Sequence, residues 1–288
     1  RPSTAFSNVD LPPPEGPTMA TTSPRMISVS VRASDGRRRP ILADACVEIM
    51  RGEVVAIVGP SGGGKSTLLK AVLGLTRFTH GRMVFDGTQI RRPLDAGHKR
   101  LRGAAEAVFQ NPLGALNPHA RLRTTIEEPL RAGGLSQLER RQRVERIAAR
   151  MGLDPALLER RPAAVSLGQA QRACIARAIA PRPTLLVLDE PLSALDALVA
   201  AEVAGLLTDV IAETQPTVLF VSHDMRLVRR LASRVIVIEA GRIVEDAPAD
   251  RLLSAPQSNA ARALVDCDTH RRAAFAAARF VQREETVA

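Results

Sequence analysis

The eight residues Gly59-Pro60-Ser61-Gly62-Gly63-Gly64-Lys65-Ser66 constrain this chain more than any other stretch. They fit the pattern G-x-x-x-x-G-K-[ST] and stand between the apolar run Val54 to Val58 and a segment, Lys65 to Leu75, patterned as a helix. A loop this rich in glycine turns tightly and aims several backbone N–H groups inward, at a helix N-terminus where the potential favours anions. Lys65 adds a compact cation for β- and γ-phosphates, and the Ser66 hydroxyl, followed by Thr67, is placed to ligate Mg²⁺. Residues 59–67 are therefore the expected phosphate-binding loop of a nucleotide site.

A short apolar run such as Val54 to Val58 suits a strand buried on both faces. Three more runs of this kind, Leu185 to Leu188, Val218 to Val221 and Val235 to Ile238, are separated by helical stretches that include Ala197 to Ala212 and Met225 to Leu231. Strands alternating with helices predict an α/β fold with a mostly parallel sheet covered on both faces. Upstream, Ile27, Val29 and Val31 alternate with polar residues as in a half-buried strand. Residues 113–180 are different, rich in Ala, Arg, Leu and Glu, with Val144, Ile147, Ala148 and Met151 at helical spacing. They read as a helical insertion between sheet strands. Its six arginines between Arg131 and Arg150 interleave with Glu139 and Glu145 and have no aromatic companion, so they read as a solvated helix face.

Asp189 and Glu190 emerge where the run Leu185 to Leu188 ends. Acids at the carboxyl edge of a parallel strand face the crevice in which α/β sheets bind ligands. Asp189 is placed to hold Mg²⁺ through water, and Glu190 to polarise a water attacking the γ-phosphate.

Composition narrows the remaining classes. The chain has 288 residues, 45% of them hydrophobic, which suffices for an ordinary core and is too apolar for disorder. Only 2% are aromatic, seven Phe with no Trp or Tyr, which excludes functions built on banks of stacked rings. The net charge of +10 rests on 40 basic residues, all arginine except Lys65, Lys70 and Lys99. It is spread along the chain and argues against direct nucleic-acid binding. Three cysteines without CxxC spacing and five histidines without an HxxxH pair point to neither disulfides nor zinc, and to a reducing cytosol. No apolar stretch reaches the ~20 residues that span a bilayer, so any membrane crossing belongs to partner chains. Residues 1–25, with six prolines among Ser and Thr, read as a disordered leader, 26–255 as the nucleotide-binding domain and 256–288 as a C-terminal tail.

From Met26 to Ser254 the chain resembles the ATP-binding subunits of ABC transporters. Gln110 after Val108-Phe109 resembles the Q-loop, Ser193-Ala194-Leu195-Asp196 the D-loop, and Val221-Ser222-His223-Asp224 the switch-histidine strand end. Val165-Ser166-Leu167-Gly168-Gln169 stands where the family signature is expected. The resemblance implies an α/β P-loop core with a small antiparallel β subdomain and a helical subdomain, binding ATP and Mg²⁺. It assigns Glu190, His223 and Gln110 to catalysis, Ser66, Gln110 and Asp189 to the metal, and Asp196 to signalling across a dimer. Ser166, Leu167, Gly168 and Gln169 would act in trans on a partner's nucleotide. The segment Phe109-Gln110-Asn111-Pro112 to Leu116-Asn117-Pro118, with Glu128-Pro129-Leu130 after it, is similar to the oligopeptide, dipeptide and nickel importer branch. That branch implies a second, non-identical ATPase subunit, two permease subunits and an extracytoplasmic solute-binding protein, with this chain peripheral on the cytoplasmic face of the inner membrane. A non-transport ABC ATPase of DNA repair or translation, and an exporter subunit, are the competing readings.

Two departures from the family stand out. Val165 and Leu167 replace the leucine and first glycine of L-S-G-G-Q, which either slows the partner's site or is tolerated because Leu167 points away from the phosphates. The ring that normally stacks on adenine is also missing, since no aromatic residue lies between Phe6 and Phe78. Either a guanidinium from Arg37 to Arg39 lies over the base instead, or the base is weakly held and ATP poorly distinguished from GTP, with these arginines then a solvated basic turn.

Overall fold

The computed structural model describes residues 25–34, 40–76, 80–90 and 95–268. The expected leader, apart from Arg25, lies outside these residues, as do Arg37 to Arg39 and positions 269–288 of the tail.

The predicted buried strands form one six-stranded sheet in the order β10-β9-β3-β8-β7-β6. These are β3 (Val54–Val58), β6 (Ala105–Val108), β7 (Leu185–Asp189), β8 (Thr217–Val221), β9 (Arg234–Glu239) and β10 (Arg242–Pro248). The four pairings from β9 to β6 are parallel, and β10 returns antiparallel to β9. Each of the central strands divides its side chains between two cores with period 2, as pleating requires. Val55 and Ile57 of β3, Leu185 and Val187 of β7, and Leu219 and Val221 of β8 face one core. Ala56, Val58, Leu186, Leu188, Val218 and Phe220 face the other. Nearly all are fully buried, at roughly 1.5–3 kcal/mol for each large aliphatic side chain, which is why the runs read as continuous rather than alternating.

The first core is closed by α1 (Lys65–Val72) and by a second sheet, four antiparallel strands in the order β2-β1-β4-β5. Those are β1 (Arg25–Ser34), β2 (Pro40–Met50), β4 (His80–Phe85) and β5 (Thr88–Ile90), followed by α2 (Ala96–Ala104). The parallel sheet, the covering helices and this smaller sheet are the fold expected from the sequence.

The second core lies under the segment between β6 and β7, which contains no strand. It comprises α3 (Pro112–Ala115), α4 (Leu122–Glu127), α5 (Gln137–Arg150) and α6 (Leu167–Ile179), joined by short 3-10 turns. Both longer helices begin at a capping box, Ser136 with Glu139 and Ser166 with Gln169, so two orphan backbone donors are satisfied at each start. Then follow α7 (Ala197–Thr214), α8 (Met225–Leu231) and α9 (Ala249–Ser254). A further helical run at 259–268 places Ala260 and Ala261 in the same core and pairs Asp268 with Arg229.

α1 stops at Val72, short of the expected Leu75. Gly74 takes φ 68°, donating to Ala71 O, while Leu75 N–H donates to Lys70 O, a pair of bonds that ends the helix.

Candidate functional site

The loop leaving β3 is pinned by backbone from two other strands. Gly59 has φ 140°, and a Cβ there would lie 2.0 Å from the Ile238 carbonyl oxygen of β9. Gly64, the N-cap of α1, has φ 100° and would place a Cβ 2.8 Å from Ile41 O of β2. Gly241, in the β9–β10 turn, donates its N–H to Gly63 O at 3.0 Å and accepts from Ala43 N–H at 2.8 Å. Only glycine satisfies both the dihedral and the close approach at these two loop positions.

Within this frame Lys65 is buried, and its Nζ donates to Gly59 O at 2.8 Å and Pro60 O at 2.7 Å. Burial lowers its pKa from the ordinary value, opposed by the charges of Glu190 and Asp189. Ser66 Oγ donates to Asp189 Oδ1 at 3.0 Å. Burial raises the Asp189 pKa, and that hydrogen bond opposes the rise.

Glu190 leaves the end of β7 with φ 48°, a left-handed conformation costly for a non-glycine residue. Its N–H is held by Val221 O of β8 at 3.0 Å, and Ser193 Oγ donates to its carbonyl at 3.1 Å. The carboxylate is thereby presented to two neighbours. Gln110 Nε2 donates to Glu190 Oε2 at 3.2 Å, and His223 Nδ1 stands 3.4 Å from the same oxygen. A cavity of about 870 Å³ joins these groups, lined by Gly59, Ser61, Gly62, Gly64, Lys65, Ser66 and Thr67 with Gln110, Glu190 and His223. Ile41 completes the wall, a residue that sequence reasoning missed because its alternation in β2 marks only a strand.

Ser166 to Gln169 and Asp196 do not line this cavity. Ser166 caps α6, and Asp196 caps α7 by accepting from Leu198 and Val199 N–H. The two helix starts touch: a Cβ on Gly168 would meet Val199 Cγ1 at 2.7 Å. Leu167 faces outward from the first turn of α6, 37% exposed.

The family profile described as ABC transporter matches residues 42–193. The chain belongs to the ABC transporter family. A nickel import ATP-binding protein, NikE, of Rhodospirillum rubrum is 42% identical over 230 residues, 80% of this chain and 82% of its own length. A Brucella abortus protein whose name provisionally assigns it to peptide import is 41% identical over 220 residues, 76% of this chain and 66% of that one. The dimeric ATP-binding cassette MJ0796, solved in a post-hydrolysis state with ADP and Pi, superposes with a TM-score of 0.69 at 29% identity, over 78% of this chain and 99% of that one. The cassette is thus an ATPase that binds ATP. Among its described residues no helix is long and apolar enough to cross a membrane.

The oxygen donors of the cassette suit Mg²⁺. The Ser66 hydroxyl and Asp189 carboxylate already meet at 3.0 Å, and Gln110 lines the same cavity as Ser66. Among the described residues no group of three His, Cys, Asp or Glu side chains could hold a metal, so a Mg²⁺ here would draw on nucleotide phosphate oxygens and water as well.

Beside Phe109 a second groove of about 340 Å³ is lined by Leu73, Leu75, Glu106, Glu128, Pro129 and Arg177. Burial pushes the Glu106 carboxyl up to about 7, with Arg177 opposing and Glu128 reinforcing. Because the folded state holds this proton above the ordinary carboxylate range, stability declines as pH rises from the unfolded value of 4.5 through about 7. Glu106→Gln is expected to leave the thermal midpoint nearly unchanged at pH 5 and to raise stability by about 1–2 kcal/mol at pH 8. Thermal unfolding at both pH values reads this directly, and an equal effect at the two contradicts it.

Proposed function

We propose that the cassette powers uptake of nickel or short peptides, seated peripherally on the cytoplasmic face of the inner membrane. Two permease subunits carry the solute, an extracytoplasmic binding protein delivers it, and a second, non-identical ATPase subunit completes the pair. The observation that carries the reading is the Glu190 carboxylate, which meets Gln110 and His223 at one oxygen across a cavity floored by the phosphate loop. The Phe109 to Pro118 segment and the likeness to nickel and peptide import proteins favour import over export, DNA repair or translation.

In this reading the loop N–H groups from Gly59 to Thr67 and Lys65 hold the β- and γ-phosphates. Bound Mg²⁺ would supply charge neutralisation on those oxygens, and Ser66, Asp189 and Gln110 are the residues that would hold it. Glu190 accepts the proton of the attacking water, while His223 fixes the carboxylate and faces the γ-phosphate. Ser166 to Gln169 and Asp196 serve the partner's nucleotide across the dimer. The outward Leu167 and the intact capping box support a working signature. The groove beside Phe109 is the permease contact, adjoining Gln110 so that nucleotide and membrane subunits sense each other.

The test is uptake by proteoliposomes containing the complex purified through this chain. ATP-dependent entry of labelled nickel or a labelled oligopeptide, with the binding protein present, is the expected result. Purification with DNA or ribosomes in place of permeases overturns the reading.

A further inference from the structure

Four arginines converge on a small cavity that shares no residue with the nucleotide site. Arg143, Arg146 and Arg150 lie three and four residues apart on α5 and so stack along one face, and Arg182 comes from the turn between α6 and β7. The cavity measures about 150 Å³, and Ile147, Ile179 and Val210 give it apolar walls that strengthen electrostatic contacts within it.

Charge pairing sets this face apart from the rest of the helix. On the other faces Arg140 bonds Glu127 at 2.8 Å, and Arg141 and Arg123 both reach Glu145. The cavity has one carboxylate, Glu213 of α7, which is paired with Arg150. Arg143 Nε donates to the Ala180 carbonyl at 2.5 Å, and the side chains of Arg146 and Arg182 make no hydrogen bond or ion pair among the described residues. Burial, then the charges of Arg182 and Arg146, pull the Arg143 pKa below its ordinary value. Glu213 interacts with the charge of Arg182 as well as that of Arg150, so four guanidinium groups share one carboxylate, and like charges at helical spacing oppose the fold that brings them together.

We propose that this cavity binds a compact, multiply charged phosphate, a diphosphate group. Guanidinium forks match phosphate oxygens in bidentate geometry, four positive charges against a single negative one call for a multivalent anion, and the cavity admits little beyond the phosphates themselves. A bound diphosphate ties the helical insertion, through α5, to the α6–β7 turn and α7, and so stabilises their mutual placement.

Pyrophosphate is the probe, titrated calorimetrically into the full chain carrying Lys65→Ala, which removes the competing lysine contact at the nucleotide loop. Binding of one pyrophosphate is expected, with a rise in thermal midpoint. Adding Arg146→Gln and Arg182→Gln, two exposed side chains whose loss leaves the fold intact, should weaken it about tenfold or more. Glu213→Gln should tighten it by freeing Arg150, an effect that a merely structural role of Glu213 does not give. No binding, equal binding in the double arginine variant, or weaker binding with Glu213→Gln overturns the proposal. Phosphatidylglycerol vesicles are added as competitor: no displacement is expected, and displacement by this singly charged phosphodiester overturns the diphosphate assignment.

Discussion

Replacing Glu190 with glutamine is expected to lower ATP turnover by the assembled transporter about 10²–10⁴-fold while nucleotide affinity stays within a few-fold. Glutamine matches the carboxylate in shape and retains an oxygen for Gln110 Nε2, which now bonds Glu190 Oε2 at 3.2 Å. What it lacks is the ability to take a proton from water. Its effect on ATP binding is expected to be small because the proposed phosphate contacts are elsewhere, at Lys65 and the backbone of residues 59–67 that line the cavity. The left-handed φ of 48° at Glu190 is set by the Val221 carbonyl and the turn through Ser193, so the substitution does not redirect the side chain. Steady-state phosphate release alongside equilibrium ATP binding separates the two effects.

Gly59→Ala is expected to abolish ATP binding by displacing the loop. The added Cβ would stand 2.0 Å from Ile238 O, a backbone atom of β9 and not the end of a flexible side chain. The φ of 140° is a further cost for any L side chain. Together these amount to several kcal/mol, about 3–5, large for a single methyl group. Gly103→Ala provides the control. It lies in α2 with no atom near the would-be Cβ, and there alanine should stabilise by about 0.5–1 kcal/mol. Thermal unfolding and ATP titration of both variants check the contrast, and equal behaviour would mean that the loop is not clamped by β9.

Much of the fold was legible because the central strands are buried on both faces. Runs such as Val54 to Val58 and Leu185 to Leu188 carry little but aliphatic residues, and such runs between helices imply a parallel sheet. The order of the strands was not legible, since nothing in Val218 to Val221 says that it sits between β3 and β7. The site divided in the same way. Gly59 to Thr67, Asp189 and Glu190 announce themselves by local spacing, but the clamp on the loop comes from Ile41, Ile238 and Gly241, far apart in sequence and ordinary in type. The arginines of α5 show the limit most plainly. Read along the chain they form one solvated face, whereas in three dimensions Arg140 and Arg141 are paired and Arg143 and Arg146 turn toward a cavity completed by Arg182 and α7.

The central claim is that Glu190, held between Gln110 and His223, hydrolyses ATP bound at this chain's own loop. Single-turnover phosphate release by the reconstituted importer tests it most directly, with Glu190→Gln in this chain alone and the partner ATPase left intact. The account expects ATP to remain uncleaved on this chain's loop, with the remaining release confined to the partner's site. Release from both sites at the wild-type rate would contradict it and place the proton acceptor on another residue.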